Sequence, residues 1–121
     1  MTEEAVVEAL LVAALRDKDI DVVSSLLADE VVYDNVGYPT IRGAQRIVKT
    51  FRNLASRMTM VNWDVEIHRI ASAGPSVMTE RTDSLIVGAF RADFWVCGVF
   101  EVHDGKITLW RDYFEDRKSV V

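Results

Sequence analysis

The chain has 121 residues, 50% of them hydrophobic, a formal net charge of -5 and an isoelectric point near 5.0. That length suits one domain over residues 1–121 with room for a real core. The 14 Lys and Arg are scattered among 19 Asp and Glu, which argues against a nucleic-acid or anionic-membrane partner, because either needs clustered cations.

No apolar run is long enough to span a bilayer. The acidic start Met1-Thr2-Glu3-Glu4 does not read as a signal peptide. A single cysteine, Cys97, cannot form an intrachain disulfide, and the expected compartment is the reducing cytoplasm.

In chain order, Thr2 is a candidate cap for a helix over about residues 3–17, whose apolar positions Val6, Ala9, Leu10, Ala13 and Ala14 recur at helical spacing. Asp19 reads as the cap of a short second helix carrying Val22, Val23, Leu26 and Leu27, and Ala28-Asp29-Glu30 breaks it. From Val31 the period becomes two, so Tyr33 and Asn35 face the same way on a short strand. Gly37, Pro39 and Gly43 punctuate a loop before a third helix at about 44–57, with Ile47, Val48, Phe51, Leu54 and Ala55 on one face.

Beyond Met58 four strands are expected, at about 60–71, 76–88, 92–103 and 106–116. Asp104-Gly105 is a two-residue hairpin signal, since both central positions must tolerate positive φ. Gly98, inside a strand, suits a bulge or bend that curls the sheet. The expected class is α+β, three helices on the concave face of a long curved sheet.

Two strands carry charge where apolar residues belong. On the odd row of the stretch 76–88, Val77, Thr79, Arg81, Asp83, Leu85 and Val87, the middle is a cation and an anion. Asp112 sits between Trp110 and Phe114 at the same spacing. Buried charges are rare unless paired, so these are either structural ion pairs or chemical machinery, and residue type alone does not decide. One cation cannot neutralise two anions in a low-dielectric pocket, so one carboxyl tends to keep its proton and an acid and a base coexist. A curled sheet would collect Tyr33, Asn35, Arg81, Asp83 and Asp112 among the apolar Leu85, Phe94, Val96, Phe100, Trp110 and Phe114, the composition of a small-molecule site. Leu54 and Met58 join this expected lining.

Other chemistry finds less support. His68 and His103 sit on polar positions and read as solvated, and no Cys or His cluster has metal-ligand spacing, so no metal is expected. Cys97 falls on the opposite strand face and reads as a packed or interface thiol. There is no phosphate loop and no dinucleotide fingerprint, so no cofactor is expected either.

Tyr33-Asp34-Asn35, Thr79-Glu80-Arg81-Thr82-Asp83-Ser84-Leu85 and the run from Gly98 through Gly105-Lys106-Ile107-Thr108-Leu109-Trp110-Arg111-Asp112-Tyr113-Phe114 together resemble the limonene epoxide hydrolase family. The resemblance spans nearly the whole chain, and its most specific elements are the Arg-x-Asp pair and the closing run. It implies the cone fold of the nuclear transport factor 2 and ketosteroid isomerase superfamily, a homodimer, and cofactor-free hydrolysis of epoxides to vicinal diols. It further implies that Asp112 is the base for a water held by Tyr33 and Asn35, that Asp83 is the acid, and that Arg81 lies between the carboxylates. The chain departs from the family in its short N-terminal arm, its tail Lys118-Ser119-Val120-Val121 and its charged hairpin at Arg91 and Asp93.

The expected function is thus hydrolysis of a small lipophilic epoxide. An isomerase or dehydratase of the same fold would shuttle a proton on one carboxylate, and a non-catalytic binder would keep only the greasy pocket. The outward rows Trp95, Cys97, Val99 and Ile107, Leu109, Tyr113 are too apolar for a solvated face and are expected in a homodimer interface.

Overall fold

The computed structural model describes residues 1–114. Helix α1, Glu3–Leu11, starts where the Thr2 side chain accepts a hydrogen bond from Ala5 N, and it buries Val6, Val7, Leu10 and Leu11 completely or nearly so. Each such side chain contributes roughly 1.5–3 kcal/mol by leaving water. The expected single helix over 3–17 does not stay α-helical: Val12–Asp17 widens to π-helix, and the Lys18 N–H reaches Ala13 O, five residues back. Lys18 then turns left-handed at φ 52, and Asp19 caps α2, Ile20–Leu26, through its side chain on Val22 N.

Strand β1, Leu27–Asn35, begins directly at the end of α2, four residues earlier than its alternation suggests. A two-residue strand the periodicity does not reveal, β2 at Ile41–Arg42, pairs with it at Val32 and Tyr33. Helix α3, Ala44–Arg57, follows Gly43, whose φ of 94 suits glycine. The remaining strands are β3 Val61–Ala73, β4 Ser76–Val87, β5 Phe90–His103 and β6 Lys106–Phe114. Positions 115 and 116 of the last expected strand, and the tail at Lys118-Ser119-Val120-Val121, lie outside the described residues.

The six strands form one sheet in the order β2-β1-β6-β5-β4-β3, with β1 parallel to β6 and every other pair antiparallel. The β5–β6 turn has the predicted chemistry, with Asp104 at φ 52 and Gly105 at φ 75. Helix α1 packs on β3, β4, β5 and β6, α2 on β6 and α3 on β1, so the three helices share one face of the sheet. Between the layers lies a core that includes Val6, Leu10, Val23, Val31, Ile47, Val77, Phe100 and Ile107.

Two expectations on the sheet need correction. Gly98 is no bulge: it pairs regularly with Thr79 and with Asp112, while the register shifts fall at Leu27/Val32, Ile67/Arg69 and Glu101/Val102. Ile107 does not face outward; the shift beside Val102 changes the parity of β6, and Ile107 is fully buried in the core.

Candidate active site

Strand register brings the charged residues together. Arg81 and Asp83 are consecutive inward positions of β4, and Asp112 reaches them from β6 across Gly98, which pairs with Asp112 on one side and Thr79 on the other. Asn35 stands beside Asp112, and Tyr33 beside Trp110, in the parallel β1–β6 pair. All five anticipated catalytic residues line one cavity of about 450 Å³.

Arg81 is the centre of this group and is 1% exposed. Its Nε donates to Asp83 Oδ1 at 2.8 Å and its Nη2 to Asp83 Oδ2 at 3.1 Å, a bidentate fork. The same Nη2 lies 2.9 Å from Asp112 Oδ2. Trp110 Nε1 also donates to Asp112 Oδ2, at 3.1 Å. Two donors thus occupy Oδ2, whereas Asp112 Oδ1 and Asn35 Oδ1 are buried acceptors with no donor among the described residues.

Burial is the strongest influence on Asp112 and pushes its pKa up; the Arg81 charge and hydrogen bond pull it back, and the Asp83 charge adds to the rise. Burial likewise drives the Tyr33 phenol far above its ordinary range, with the charge of Asp112 reinforcing it and Asn35 opposing. Tyr33 therefore stays a protonated donor at any physiological pH. Burial works against the charge on Arg81, but Asp112 and Asp83 outweigh it and raise its pKa further, so it remains a cation.

An aromatic cluster holds the rings in place. Tyr33 and Trp110 lie with centroids 4.3 Å apart, and Phe51 meets each edge-on, at 5.9 and 5.8 Å. Of the anticipated apolar lining, Trp110, Phe114, Leu54 and Met58 line the cavity. Leu85, Phe94, Val96 and Phe100 do not. Val96 is fully buried between Arg81 and Phe114, and Phe100 belongs to the core and stacks on Trp110 at 6.3 Å. Leu85 and Phe94 are half-buried towards the β4–β5 turn.

The cavity has walls that strand alternation near the charges does not reveal: Ala14, Leu15, Lys18 and Ile20 from the helical layer, Phe51 and Ala55 from α3, and Val61 and Trp63 from β3. The β3 residues carry a usable signal, since Val61, Trp63, Val65 and Ile67 alternate and pair with Val87, Leu85, Asp83 and Arg81. Among the described residues no group of three or more His, Cys, Asp or Glu could hold a metal ion, and no helix is long and apolar enough to cross a membrane.

Comparison with known proteins gives the family and the fold. Residues 2–119 match the family model of the limonene-1,2-epoxide hydrolase catalytic domain. Epoxide hydrolase EphG of Mycobacterium tuberculosis is 53% identical over 109 residues, covering 90% of this chain and 70% of that protein. The solved structure of an LEH-like epoxide hydrolase from M. tuberculosis superposes with a TM-score of 0.84 at 50% identity, over 93% of this chain and 82% of that one. An NTF2-like protein of unknown function from Burkholderia pseudomallei K96243 shares the fold, with a TM-score of 0.80 at 15% identity over 99% and 96% of the two chains. The fold is therefore the NTF2-like, cystatin-like cone. The chain belongs to the limonene-1,2-epoxide hydrolase family and is an epoxide hydrolase of that type.

Proposed function

We propose that the enzyme opens a small lipophilic epoxide to a vicinal diol in one step, by direct attack of water, without a covalent enzyme ester or a cofactor. The observation that carries this reading is the pair of buried acceptors, Asp112 Oδ1 and Asn35 Oδ1, in residues that line an otherwise greasy cavity. A water between them donates one hydrogen to each, and the Tyr33 hydroxyl donates to one of its lone pairs. The other lone pair is left for the epoxide carbon.

As the new C–O bond forms and the ring C–O bond breaks, Asp112 takes the proton of the water and Asp83 gives its own to the ring oxygen. General base and general acid each supply about 10²- to 10⁴-fold. The pair finishes with its proton on Asp112 rather than Asp83, so one proton must return before the next turnover. The total charge of the trio is the same whichever carboxyl holds that proton, and the Arg81 cation stands beside both. The lining, with Leu15, Phe51, Leu54, Met58, Trp63 and Phe114 around a few polar groups, suits an apolar substrate body.

The working unit is a homodimer in the cytoplasm. Met78 is 54% exposed, and Trp95 and Tyr113 are each 43% exposed on the sheet face away from the helices, beside half-buried Cys97, Val99 and Leu109. An apolar face of this kind suits a self-complementary contact.

A panel of terpene, styrene, cyclohexene and sterol epoxides identifies the best substrate. A single turnover of that substrate in ¹⁸O-water then tests the chemistry: the label goes straight into the diol. Label found first in an enzyme carboxylate overturns the one-step reading.

A further inference from the structure

We infer that Thr79 and Gly98 are positioning residues for this reaction, forming the seat that holds the Arg81 guanidinium in the orientation that addresses both carboxylates at once. The inference rests on the roles given above to Arg81, Asp83 and Asp112.

A guanidinium has five N–H donors in one rigid plane, so a partner on any one edge constrains where the other two can point. In Arg81, Nε and Nη2 are committed to Asp83, and Nη2 also to Asp112. The remaining nitrogen, Nη1, donates to Thr79 Oγ1 at 3.4 Å. Thr79 is 2% exposed and does not line the cavity, so its hydroxyl serves the arginine rather than a substrate.

Gly98 faces Thr79 across β4–β5 and Asp112 across β5–β6, which puts it at the middle of the group. A Cβ there would lie 2.6 Å from Arg81 Nη1, 2.7 Å from Thr79 Oγ1 and 2.9 Å from Phe100 Cε1. Its φ is not positive, so what demands glycine is space and not backbone conformation. The end of a free arginine could step aside cheaply. This one cannot, because two carboxylates pin its other nitrogens and fully buried Phe100 blocks the remaining side.

The consequence is specific. Any rotation that moves Nη1 off Thr79 also swings Nη2 relative to Asp112 Oδ2 and weakens the contact that stabilises the Asp112 anion. The chemistry should suffer, and substrate binding should not, since neither residue lines the cavity.

Three variants test this on the best epoxide, with kcat, KM and the pH profile measured for each. Thr79→Val keeps the shape and removes the acceptor; kcat should fall about tenfold, KM should stay within about twofold, and the acid limb of the profile should move to higher pH. Thr79→Ser keeps the acceptor and should recover most of the loss. Gly98→Ala should cost about 10²-fold in kcat, the scale of a misplaced catalytic group; if that protein does not fold, the Thr79 pair carries the decision. Wild-type kcat and pH profile in Thr79→Val overturn the inference, as does a Thr79→Ser protein as impaired as Thr79→Val. Asp112→Asn, assayed alongside, separates the levels: activity there defeats the roles themselves, whereas a dead Asp112→Asn beside a normal Thr79→Val defeats only the seat.

Discussion

Asp112 and Asn35 are partners across the one parallel pair of the sheet, and each holds a buried oxygen to which no described residue donates. The two oxygens share one environment, because parallel pairing sets both side chains on the same face at the same level. Asn35→Ala removes one of the two acceptors and leaves Asp112 in place. Its kcat should fall about 10²-fold, with the fold retained by circular dichroism; an unchanged kcat would remove Asn35 from the water site.

The two carboxylates give the sharpest contrast. Asp112→Asn cannot accept a proton from water and Asp83→Asn cannot deliver one to the ring oxygen, so each should lose roughly 10²- to 10⁴-fold in kcat. Because both act in one transition state, the double variant should be little worse than either single one. Initial-rate assays of the three proteins check this, and multiplicative losses would mean that the groups act in separate steps.

Arg81→Lys preserves the charge but not the planar fork that spans Asp83 and Asp112. A point charge can sit against one carboxylate only, so kcat should drop by at least about tenfold. Activity equal to wild type would show that charge alone suffices.

The pH dependence follows from Asp112. Burial raises its pKa above the ordinary 3.8, with Arg81 opposing and Asp83 adding to the rise. The native state therefore binds this proton more tightly than the unfolded chain does. The resulting stability is fully present below pH 3.8 and is lost as pH climbs through the raised native value. Asp112→Asn lacks that proton, so the stability of wild type relative to the variant should decline from pH 3.8 upward. Urea unfolding at a series of pH values measures it, and parallel pH curves for the two proteins would contradict the raised pKa. The acid limb of wild-type kcat/KM should likewise sit above 3.8.

On the outer sheet face, Trp95→Lys or Tyr113→Lys places a charge in the apolar patch that holds Met78 and Val99. Light scattering should give a dimer for wild type and a monomer for the variants. A monomeric wild type at micromolar concentration would leave the patch without a second copy to cover it.

The site is legible in the sequence because alternation is a local rule: charges at Arg81, Asp83 and Asp112 stand out against apolar neighbours two residues away. Tyr33 and Asn35 are readable for the same reason. Position along a shared row is less informative, and Leu85, Phe94, Val96 and Phe100 share the inward rows without reaching the cavity. Ile107 eludes the rule because no glycine or proline marks the register shift at Glu101/Val102. Gly98 stands out in its strand, but alternation does not show that the nearest atom needing its space, Arg81 Nη1, belongs to a residue on the neighbouring strand. Nor does helical periodicity mark where α1 gives way to π-helix, or that Lys18 and Trp63 meet at one cavity.

That wide turn also governs the shape of the cavity. Arg16, near its end, holds Asp64 Oδ1 at 2.8 Å and Val65 O at 2.6 Å, and Lys18 Nζ holds Val61 O at 2.5 Å, so the helix terminus is riveted to the start of β3. A π-turn is in effect an α-helix with a residue to spare. Deleting one residue between Val12 and Asp17 would restore the tighter α winding and keep the flanking helix face in register. Ala14 and Leu15 line the cavity from within that turn, so the wall there would be drawn in while Arg16 and Lys18 kept their hold on β3. A change of length within these six residues would therefore recut the substrate chamber with the carboxylates left where they are.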